Sequence, residues 1–329
     1  MSSFKALRVH QADKGVEARI EDMRVEDLSE GSVVIRAAWS GINYKDALAV
    51  TGKGKIMRTL PLNAGIDVSG TVETSEDPRF LPGHEVLVTG CGLGEVHDGG
   101  FAGMVRVPGD WVVPMPDGLD LRRAMAVGTA GFTAGMALVR MEQNGQEPGH
   151  GPILITGASG GVGSFATRLF SRAGYSVTAF TGKTDAADYL QSLGAADILD
   201  ASQVDYGKRP LEKAIWGGAV DSLGGDALTW LTRTVKPWGN IGAIGLAAGI
   251  ELNTTVMPFI LRGVSLLGIN SVECSRDLRL AVWQRISELL QPDDCDAIIS
   301  GEVGLDDVLE SAESLLARKA RGRTLVRLA

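Results

Sequence analysis

The sequence predicts an α/β fold, in which a doubly wound parallel sheet is joined to a second, β-rich domain. From residue 153 onward strands and helices alternate, as a parallel sheet covered by helices requires. Before residue 120 the chain runs as short apolar or alternating strands separated by charged and glycine turns, which is typical of an antiparallel or mixed sheet. A chain of 329 residues is long enough for two domains with separate cores.

A buried strand, a glycine turn and a helix follow one another between residues 153 and 174. Ile153–Ile155 is apolar, four glycines follow Thr156, and helical apolar spacing then continues as far as Gly174. Such a turn lets the backbone approach a pyrophosphate, which the helix N-terminus attracts with free N–H groups. The following strand, Ser176–Phe180, favours a dinucleotide-binding unit over an ordinary strand-to-helix turn. The cofactor-binding residues expected in the turn are Ser159, Gly160, Gly161 and Val162.

The end of the second strand indicates which dinucleotide is bound. NAD-specific folds place a carboxylate there for the ribose hydroxyls, but this strand ends in Thr181, Gly182 and Lys183. A hydroxyl and an ammonium favour a 2′-phosphate, so these three residues are predicted to bind NADPH. The alternative is that Lys183 is a solvated residue at a helix start, partly neutralised by Asp185.

The other elements are predicted from the same patterns. Gly99–Pro108 is expected to be the hairpin partner of the strand that follows Pro82, Gly239–Leu246 is expected to be a strand, and Thr324–Leu328 is expected to return to the first domain. Asp120–Val127 and Ala130–Asn144 are predicted to be helices.

Composition and charge limit the classes of partner. The chain is 44% hydrophobic and 22% charged, as expected for a globular protein. A net charge of −8 argues against nucleic acid or an anionic membrane as the main partner. Neither a signal peptide nor a run approaching a membrane span is expected. Three scattered cysteines, with no disulfide framework evident, favour a cytoplasmic location.

Six motifs together resemble the medium-chain dehydrogenase/reductase superfamily, and within it the acrylyl-CoA reductase group of the zinc-free, quinone-oxidoreductase-like branch. The motifs are Gly41-Ile-Asn-Tyr-Lys-Asp46, Gly65-Ile-Asp-Val-Ser-Gly70, Gly128-Thr-Ala-Gly-Phe-Thr-Ala134, Thr156-Gly-Ala-Ser-Gly-Gly-Val-Gly163, Thr255-Val-Met-Pro-Phe-Ile-Leu-Arg262 and Gly322-Arg-Thr-Leu-Val326. The resemblance implies a GroES-like catalytic domain over 1–121 and a Rossmann NADPH-binding domain over 122–262. Residues 263–329 would supply the last Rossmann strand, helices and the return to the catalytic domain.

The resemblance also implies an activity, the NADPH-dependent reduction of the C=C bond of acryloyl-CoA to propionyl-CoA. Hydride would add to the β-carbon and a proton to the α-carbon, so the site must present donors to an enolate oxygen. The candidate catalytic residues are Asn43, Tyr44, Lys45 and Asp46. The further cofactor-binding candidates are Tyr44, Thr129, Leu246, Ile260, Ser271 and Arg323.

Alternatives stay open for these residues. Lys45 and Asp46 are equally compatible with a surface ion pair, and Tyr44 with packing against the nicotinamide. Related mitochondrial-type enoyl thioester reductases carry a tyrosine proton donor near the place of Gly54, where this chain has no tyrosine. Solvent and Tyr44 are the open choices for the proton donor. Basic candidates for a CoA ester at the cleft mouth are Arg262, Arg279, Lys319 and Arg321.

No metal is expected. Gly83-His84-Glu85 imitates a zinc motif, but the resemblance puts that motif's place at Gly65–Asp67, and Asn43 or its neighbour replaces the expected cysteine. His84 is predicted to be a turn residue, because too few potential ligands accompany it.

Two other functions are considered, a quinone or enone reductase and a non-enzymatic NADPH-binding structural or RNA-binding protein. The expected partners are a short enoyl-CoA substrate and a second copy of the chain. The apolar strand Val264–Ile269 would lie at the sheet edge, where unpaired backbone groups invite the edge of another subunit.

Overall fold

The computed structural model describes residues 3–329, except the side chain of Thr184. The strands are β1 Phe4–Gln11, β2 Val16–Met23, β3 Val33–Gly41, β4 Leu62–Asn63, β5 Asp67–Ser75, β6 Glu85–Thr89, β7 Met104–Val107, β8 Val113–Pro114, β9 Ile153–Thr156, β10 Val177–Thr181, β11 Asp197–Asp200, β12 Gly218–Asp221, β13 Asn240–Ala243, β14 Ser265–Gly268, β15 Ile299–Val303 and β16 Arg323–Arg327. The helices are α1 Tyr44–Val50, α2 Leu121–Gln143, α3 Gly161–Arg172, α4 Ala187–Ser192, α5 Gly225–Thr234, α6 Met257–Arg262, α7 Arg276–Leu289, α8 Pro292–Ile298 and α9 Val308–Leu316.

The chain forms two compact units. Unit 1 comprises Met1–Thr129, Val272–Ala281 and Cys295–Ala329, and unit 2 comprises Ala130–Ser271 and Val282–Asp294. The predicted domain boundaries after residues 121 and 262 stay predictions.

Unit 1 is built on β-sheets. Among its described residues, one sheet has the order β2-β1-β4, and the larger sheet has the order β15-β16-β3-β5-β6-β8 with β7 added to β3. Alternating side chains of β3 and β5, including Val33, Ile35 and Val68, are buried with Phe80 in one core. The antiparallel pairing of β16 with β3 confirms that the C-terminal strand returns to this unit.

One strand pairing differs from the prediction. The segment Gly99–Pro108 contains β7, which pairs antiparallel with β3 rather than forming a hairpin with β6. The reason lies in the chain before β7, where Gly99 and Phe101 donate backbone hydrogen bonds to Asn63 and Ala64. These bonds carry the chain away from β6.

Unit 2 is a doubly wound parallel sheet, as predicted. In the described residues its strand order is β11-β10-β9-β12-β13-β14, and every pair is parallel. From β9 the chain adds strands first towards one edge of the sheet, β10 and β11, and then towards the other, β12 to β14. The boundary between β9 and β12 is therefore a topological switch point, and such folds bind their ligands there, beyond the carboxyl ends of the strands. Leu154, Phe180, Trp230 and Ile241 are buried in the core under the sheet.

The predicted strand Gly239–Leu246 is shorter in the structure. Strand β13 ends at Ala243 because the next backbone N–H groups, of Ile244 and Gly245, donate to the carbonyl of Asp221. The chain therefore turns across the end of β12 instead of continuing the ladder. The helices α6 and α8 and the strand β15 were not predicted, because each is short and its apolar pattern is weak.

Helix α2 corrects the expectation that no run approaches a membrane span. It is the one helix among the described residues that is long and apolar enough to cross a membrane, and 89% of its apolar window is buried in the protein. The burial is that of a core helix. The sequence pattern predicted two helices here, and the backbone is indeed interrupted between them at Gly128, where φ is +46°.

Candidate active site

The glycine turn of unit 2 has the geometry of a nucleotide site. Strand β9 delivers the chain into the turn, and α3, 12 residues long, begins at Gly161. A Cβ at Gly163 would lie 2.4 Å from the carbonyl oxygen of Gly157 and 2.6 Å from the Cα of Ala158. Only glycine therefore allows the first turn of α3 to approach the end of β9, and such a strand, turn and helix start are typical of a site for a pyrophosphate.

A buried aspartate fixes the strand ends beside this turn. Asp221 closes β12, where it accepts hydrogen bonds from the Thr156 hydroxyl at 2.7 Å and from the N–H of Gly224 at 2.7 Å. The N–H of Ser222 donates in turn to the Thr156 hydroxyl at 2.9 Å. Burial raises the pKa of Asp221, and these donors oppose the rise. The sequence analysis did not single out Asp221, although a carboxylate that ends an apolar strand was a signal for it.

The three residues predicted to select NADPH lie together at the end of β10. Phe180 is opposite Thr156 in the parallel ladder, so Thr181 extends just past the start of the glycine turn. The Thr181 side chain is buried, and its hydroxyl accepts a hydrogen bond from the N–H of Lys183 at 3.1 Å. A Cβ at Gly182 would meet nothing within 4 Å. This end of the strand presents a hydroxyl and an ammonium with no carboxylate between them.

The remaining predicted cofactor residues divide between the two units. Leu246 and Ile260 lie in unit 2 with exposed side chains, and Ser271 is the last residue of that unit's first segment. Thr129, Tyr44 and Arg323 belong to unit 1. Their contacts with a cofactor stay predictions.

A buried polar network in unit 1 contains four of the predicted residues together with Asp67, which was not predicted; we call it the Asp67 network. Its members are Asn43, Asp46, Asp67, Thr129 and Arg323. The amide of Asn43 donates to Asp67 at 2.8 Å and to Asp46 at 3.0 Å, and the Asn43 side-chain oxygen accepts from Arg323 at 2.9 Å. Thr129 donates to Asp67 through its N–H at 2.8 Å and its hydroxyl at 2.5 Å.

Arg323 is the cation of this network and is 3% exposed. Its guanidinium donates to the carbonyls of Ile42 at 2.9 Å and Ala126 at 3.1 Å, and it lies 3.6 Å from the carboxylate of Asp67. Gly128 makes room for it, because a Cβ there would lie 2.5 Å from Asp67 and 2.8 Å from Arg323. The helical backbone of α2 is therefore interrupted at the residue that packs against the buried pair of Asp67 and Arg323.

Asp46 is the titratable member of the network. Its carboxylate accepts from the backbone N–H of Asn43 at 2.8 Å and of Ile66 at 2.9 Å. Burial, and then the charge of Asp67, raise the pKa of Asp46 to about 7. The network therefore contains a carboxyl group that changes its charge near neutral pH.

Tyr44 and Lys45 differ from their neighbours. Tyr44 begins α1 with 49% of its surface exposed, and among the described residues no hydrogen bond to its hydroxyl is found. Lys45 forms an ion pair with Glu95 at 2.8 Å. The alternative of a surface pair between Lys45 and Asp46 is therefore wrong, because Asp46 is buried and accepts hydrogen bonds from Asn43 and Ile66.

The residues present do not fit a metal. His84 lies just before β6, where its ring nitrogen Nδ1 accepts from the N–H of Leu81 at 3.2 Å, as a turn residue does. Over residues 3–329 no group of three or more His, Cys, Asp or Glu side chains is placed to hold a metal ion.

The fold and these motifs define a class of protein. Residues 29–117 match the family model described as alcohol dehydrogenase GroES-like domain, and residues 161–291 match the one described as zinc-binding dehydrogenase. The chain belongs to the medium-chain dehydrogenase/reductase superfamily, as its motifs predicted. The description of the second family model names zinc, whereas no zinc ligand set is found among the residues that the structure describes.

Full-length relatives lie close to this chain. It is 46% identical to the probable acrylyl-CoA reductase AcuI of Escherichia coli, over 99% of this chain and 100% of that protein. It is 45% identical to the putative quinone oxidoreductase YhfP of Bacillus subtilis, over 99% of both chains.

Solved structures share the fold throughout. The structure of B. subtilis YhfP with NAD bound matches with a TM-score of 0.97 at 45% identity, over 100% of both chains. The yhdH oxidoreductase of Salmonella enterica, in complex with NADP, matches with a TM-score of 0.96 at 44% identity, over 99% of this chain and 100% of that one.

Proposed function

We propose that this protein is an NADPH-dependent reductase of the C=C bond of acryloyl-CoA, with propionyl-CoA as product. The observation that carries the proposal is the full-length similarity to the acrylyl-CoA reductase of E. coli. The substrate is accordingly a small enoyl thioester.

The glycine turn supports a dinucleotide, and the end of β10 supports NADPH in particular. The space kept free by Gly163 and the start of α3 suit a pyrophosphate. Thr181 and Lys183 supply a hydroxyl and a positive charge for a 2′-phosphate. One relative was solved with NADP and another with NAD, so the choice is worth measuring directly.

In the proposed reaction the bound cofactor supplies the hydride, and the protein places groups around the alkene. The side-chain amide of Asn43 donates hydrogen bonds to Asp46 and Asp67. Asn43 is therefore a residue that positions the start of α1. Tyr44, next in the chain, carries the exposed hydroxyl. Protonation of the α-carbon comes from that hydroxyl or from solvent.

The decisive assay compares specificity constants for acryloyl-CoA, crotonyl-CoA and a quinone. With cofactor labelled at the nicotinamide C4, we expect deuterium at the β-carbon of propionyl-CoA and solvent hydrogen at the α-carbon. Efficient quinone reduction without reduction of acryloyl-CoA would favour the second candidate, which the name of the B. subtilis relative supports. No turnover of either would leave a non-enzymatic NADPH-binding protein.

Tyr44→Phe separates the two roles open to Tyr44. A large fall in kcat with unchanged NADPH affinity is expected if the hydroxyl acts in the transition state. A loss of cofactor affinity alone would make Tyr44 a packing residue. Tyr206→Phe is the matched control, because Tyr206 lies in unit 2 against Trp230.

We also infer a homodimer formed through β14. This strand ends the sheet of unit 2 with one edge unpaired among the described residues, and the preceding α6 exposes Ile260 and Leu261. Pairing two such edges would satisfy the backbone groups and cover the apolar side chains. A monomeric mass in light scattering at micromolar concentration would contradict the proposed homodimer.

A cytoplasmic location remains the expectation from the scattered cysteines.

A further inference from the structure

Unit 1 contains a cavity of about 630 Å³ that the proposed chemistry has not used. Its wall is formed by residues from four stretches of the chain, which are Arg58, residues 91–96, residues 110–111 and residues 272–279. All of these belong to unit 1. The volume lies in the range of pockets that hold a ligand the size of a nucleotide.

The cavity wall carries two arginines at the start of α7, one helical turn apart. Arg276 donates through Nη1 to the carbonyls of Asp110 and Val112, both at 2.8 Å. Arg279, which is 1% exposed, donates to the carbonyls of Thr89 at 2.7 Å and Val272 at 3.0 Å. Backbone carbonyls therefore hold both guanidinium groups in place.

Three carboxylates line the cavity, Glu95, Asp110 and Glu273, and two of them pair with cations other than Arg276. Asp110 pairs with Arg79 at 2.7 Å, and Asp77 pairs with Arg79 at 2.6 Å. Glu95 pairs with Lys45 at 2.8 Å. In the described part of the chain no ion pair joins Arg276 to a carboxylate. Burial is the largest influence on Arg276 and lowers its pKa, and the charge of Arg79 lowers it further, while Asp110 and Asp77 oppose the change.

The wall is otherwise suited to an aromatic and aliphatic ligand. Trp111, Val96 and Val272 contribute apolar surface beside the arginines. A three-carbon acyl group is far too small to fill such a space. A rigid pair of guanidinium forks, by contrast, matches the oxygens of phosphate groups.

We propose that this cavity binds the phosphorylated adenosine end of the CoA thioester, with Arg276 contacting its phosphates and Trp111 lying beside its base. The inference rests on the proposed function and deepens it. The Lys45–Glu95 ion pair joins the cavity wall to the residue after Tyr44, so a ligand seated here lies beside the candidate catalytic segment. Arg262 is not part of this cavity, although it was a basic candidate for binding the CoA ester. It lies in unit 2, where its guanidinium donates to the backbone carbonyls of Arg233 and Glu212.

The first test uses substrates with and without the phosphorylated end. In Arg276→Gln, KM for acryloyl-CoA is expected to rise by about tenfold to a hundredfold, the loss of a charge-assisted contact, with kcat little changed. KM for acryloyl-pantetheine should stay as in the parent protein. Arg36→Gln is the control, since Arg36 is exposed and pairs with Glu73. Equal effects on both thioesters, or on neither, would overturn the subsite.

The second test needs no turnover, because Cys91 and Cys274 line the same cavity and report its occupancy. Alkylation is followed by mass spectrometry at about pH 8.5, near the ordinary pKa of a thiol, with saturating NADP⁺ in every sample. Adenosine 3′,5′-bisphosphate should protect both thiols at least tenfold in rate. Cys295, which is fully buried, serves as the internal control.

Protection by propionyl-pantetheine but not by adenosine 3′,5′-bisphosphate would overturn the proposal and assign the cavity to the acyl arm. The same protection measured in Arg276→Gln should be lost, while Arg276→Lys should restore part of it. Failure of the proposed function would give a different result from failure of this subsite. The parent protein itself would then reduce quinones and leave acryloyl thioesters unreduced.

Discussion

The glycine turn of unit 2 and the Asp67 network of unit 1 are two sites of opposite construction. The turn is made by backbone over one continuous stretch, residues 153–163, and its key requirement is the absence of side chains. The Asp67 network is made by side chains from four distant segments, around residues 43, 67, 129 and 323. A contiguous backbone site is visible in sequence, whereas a dispersed side-chain site depends on the tertiary fold.

The two regions also differ in what stabilises them. At the turn, the close approach of Gly163 to Gly157 is a steric condition. In the Asp67 network, Asp67 and Arg323 are buried charges whose desolvation must be offset by hydrogen bonds as well as by each other. Removing a side chain should therefore be more damaging in the Asp67 network, whereas the turn should be sensitive chiefly to an added side chain.

The largest effect is expected for Arg323→Met. The change leaves Asp67 buried without its cation and removes donors to Asn43 and two carbonyls. Breaking a buried pair from one side costs about 3–5 kcal/mol of unfolding free energy. Urea denaturation monitored by circular dichroism measures it. Arg36→Met, on the surface of the same unit, should change stability by about 1 kcal/mol or less.

A second variant shows whether the charge is the cause. Adding Asp67→Asn to Arg323→Met should recover part of the lost stability, because the uncompensated carboxylate is gone. A double variant no more stable than Arg323→Met would mean that the packing and the carbonyl contacts of Arg323 dominate, and the contrast between the two regions would lose its electrostatic basis.

Gly163→Ala tests the steric condition at the turn. Its Cβ would press on backbone atoms of Gly157 and Ala158, none of which can rotate away. We expect a loss of about 1–3 kcal/mol in stability, typical of overpacking, and weaker NADPH binding by calorimetry. Gly149→Ala is the control in the same unit, since a Cβ there meets nothing within 4 Å. Unchanged cofactor affinity would show that the approach of α3 to β9 is not what forms the site.

The sequence predicted the first region almost completely, because strand, turn and helix follow one another along the chain. In unit 1 it selected Asn43, Asp46, Thr129 and Arg323 by resemblance, but it did not show that they share one network. Asp67 was noted only as the place of a missing zinc motif. The pairing of Lys45 with Glu95 could not be foreseen, because fifty residues and several strands separate them.

Lys183→Ala tests whether a positive charge after β10, beside the glycine turn, selects NADPH. If Lys183 holds the 2′-phosphate, NADPH binding should weaken by about 1–3 kcal/mol while NADH binding hardly changes. Isothermal calorimetry with both cofactors measures the difference. Lys208→Ala, an exposed lysine of the same unit, is the control. Equal losses for NADPH and NADH would assign Lys183 to another role.

The last prediction is a pH dependence of stability that arises from Asp46 in the Asp67 network. Because burial and the charge of Asp67 raise the pKa of Asp46 to about 7, the folded protein keeps a proton there that the unfolded chain releases near the ordinary aspartate pKa of about 3.9. The stability this group contributes is therefore present below about pH 4 and is lost as pH rises through 7. An amide cannot ionise, so Asp46→Asn should gain stability relative to the parent protein across that window, with a constant difference above about pH 8.

Thermal unfolding of both proteins from pH 4 to 8 measures this shift. Asp22→Asn provides the control, because Asp22 is exposed and pairs with Lys5 at the surface of unit 1. A difference between parent and Asp46→Asn that stays constant between pH 4 and 8 would show that Asp46 is ionised throughout. In that case the hydrogen bonds from Asn43 and Ile66 outweigh burial, and the network holds two carboxylates against a single arginine.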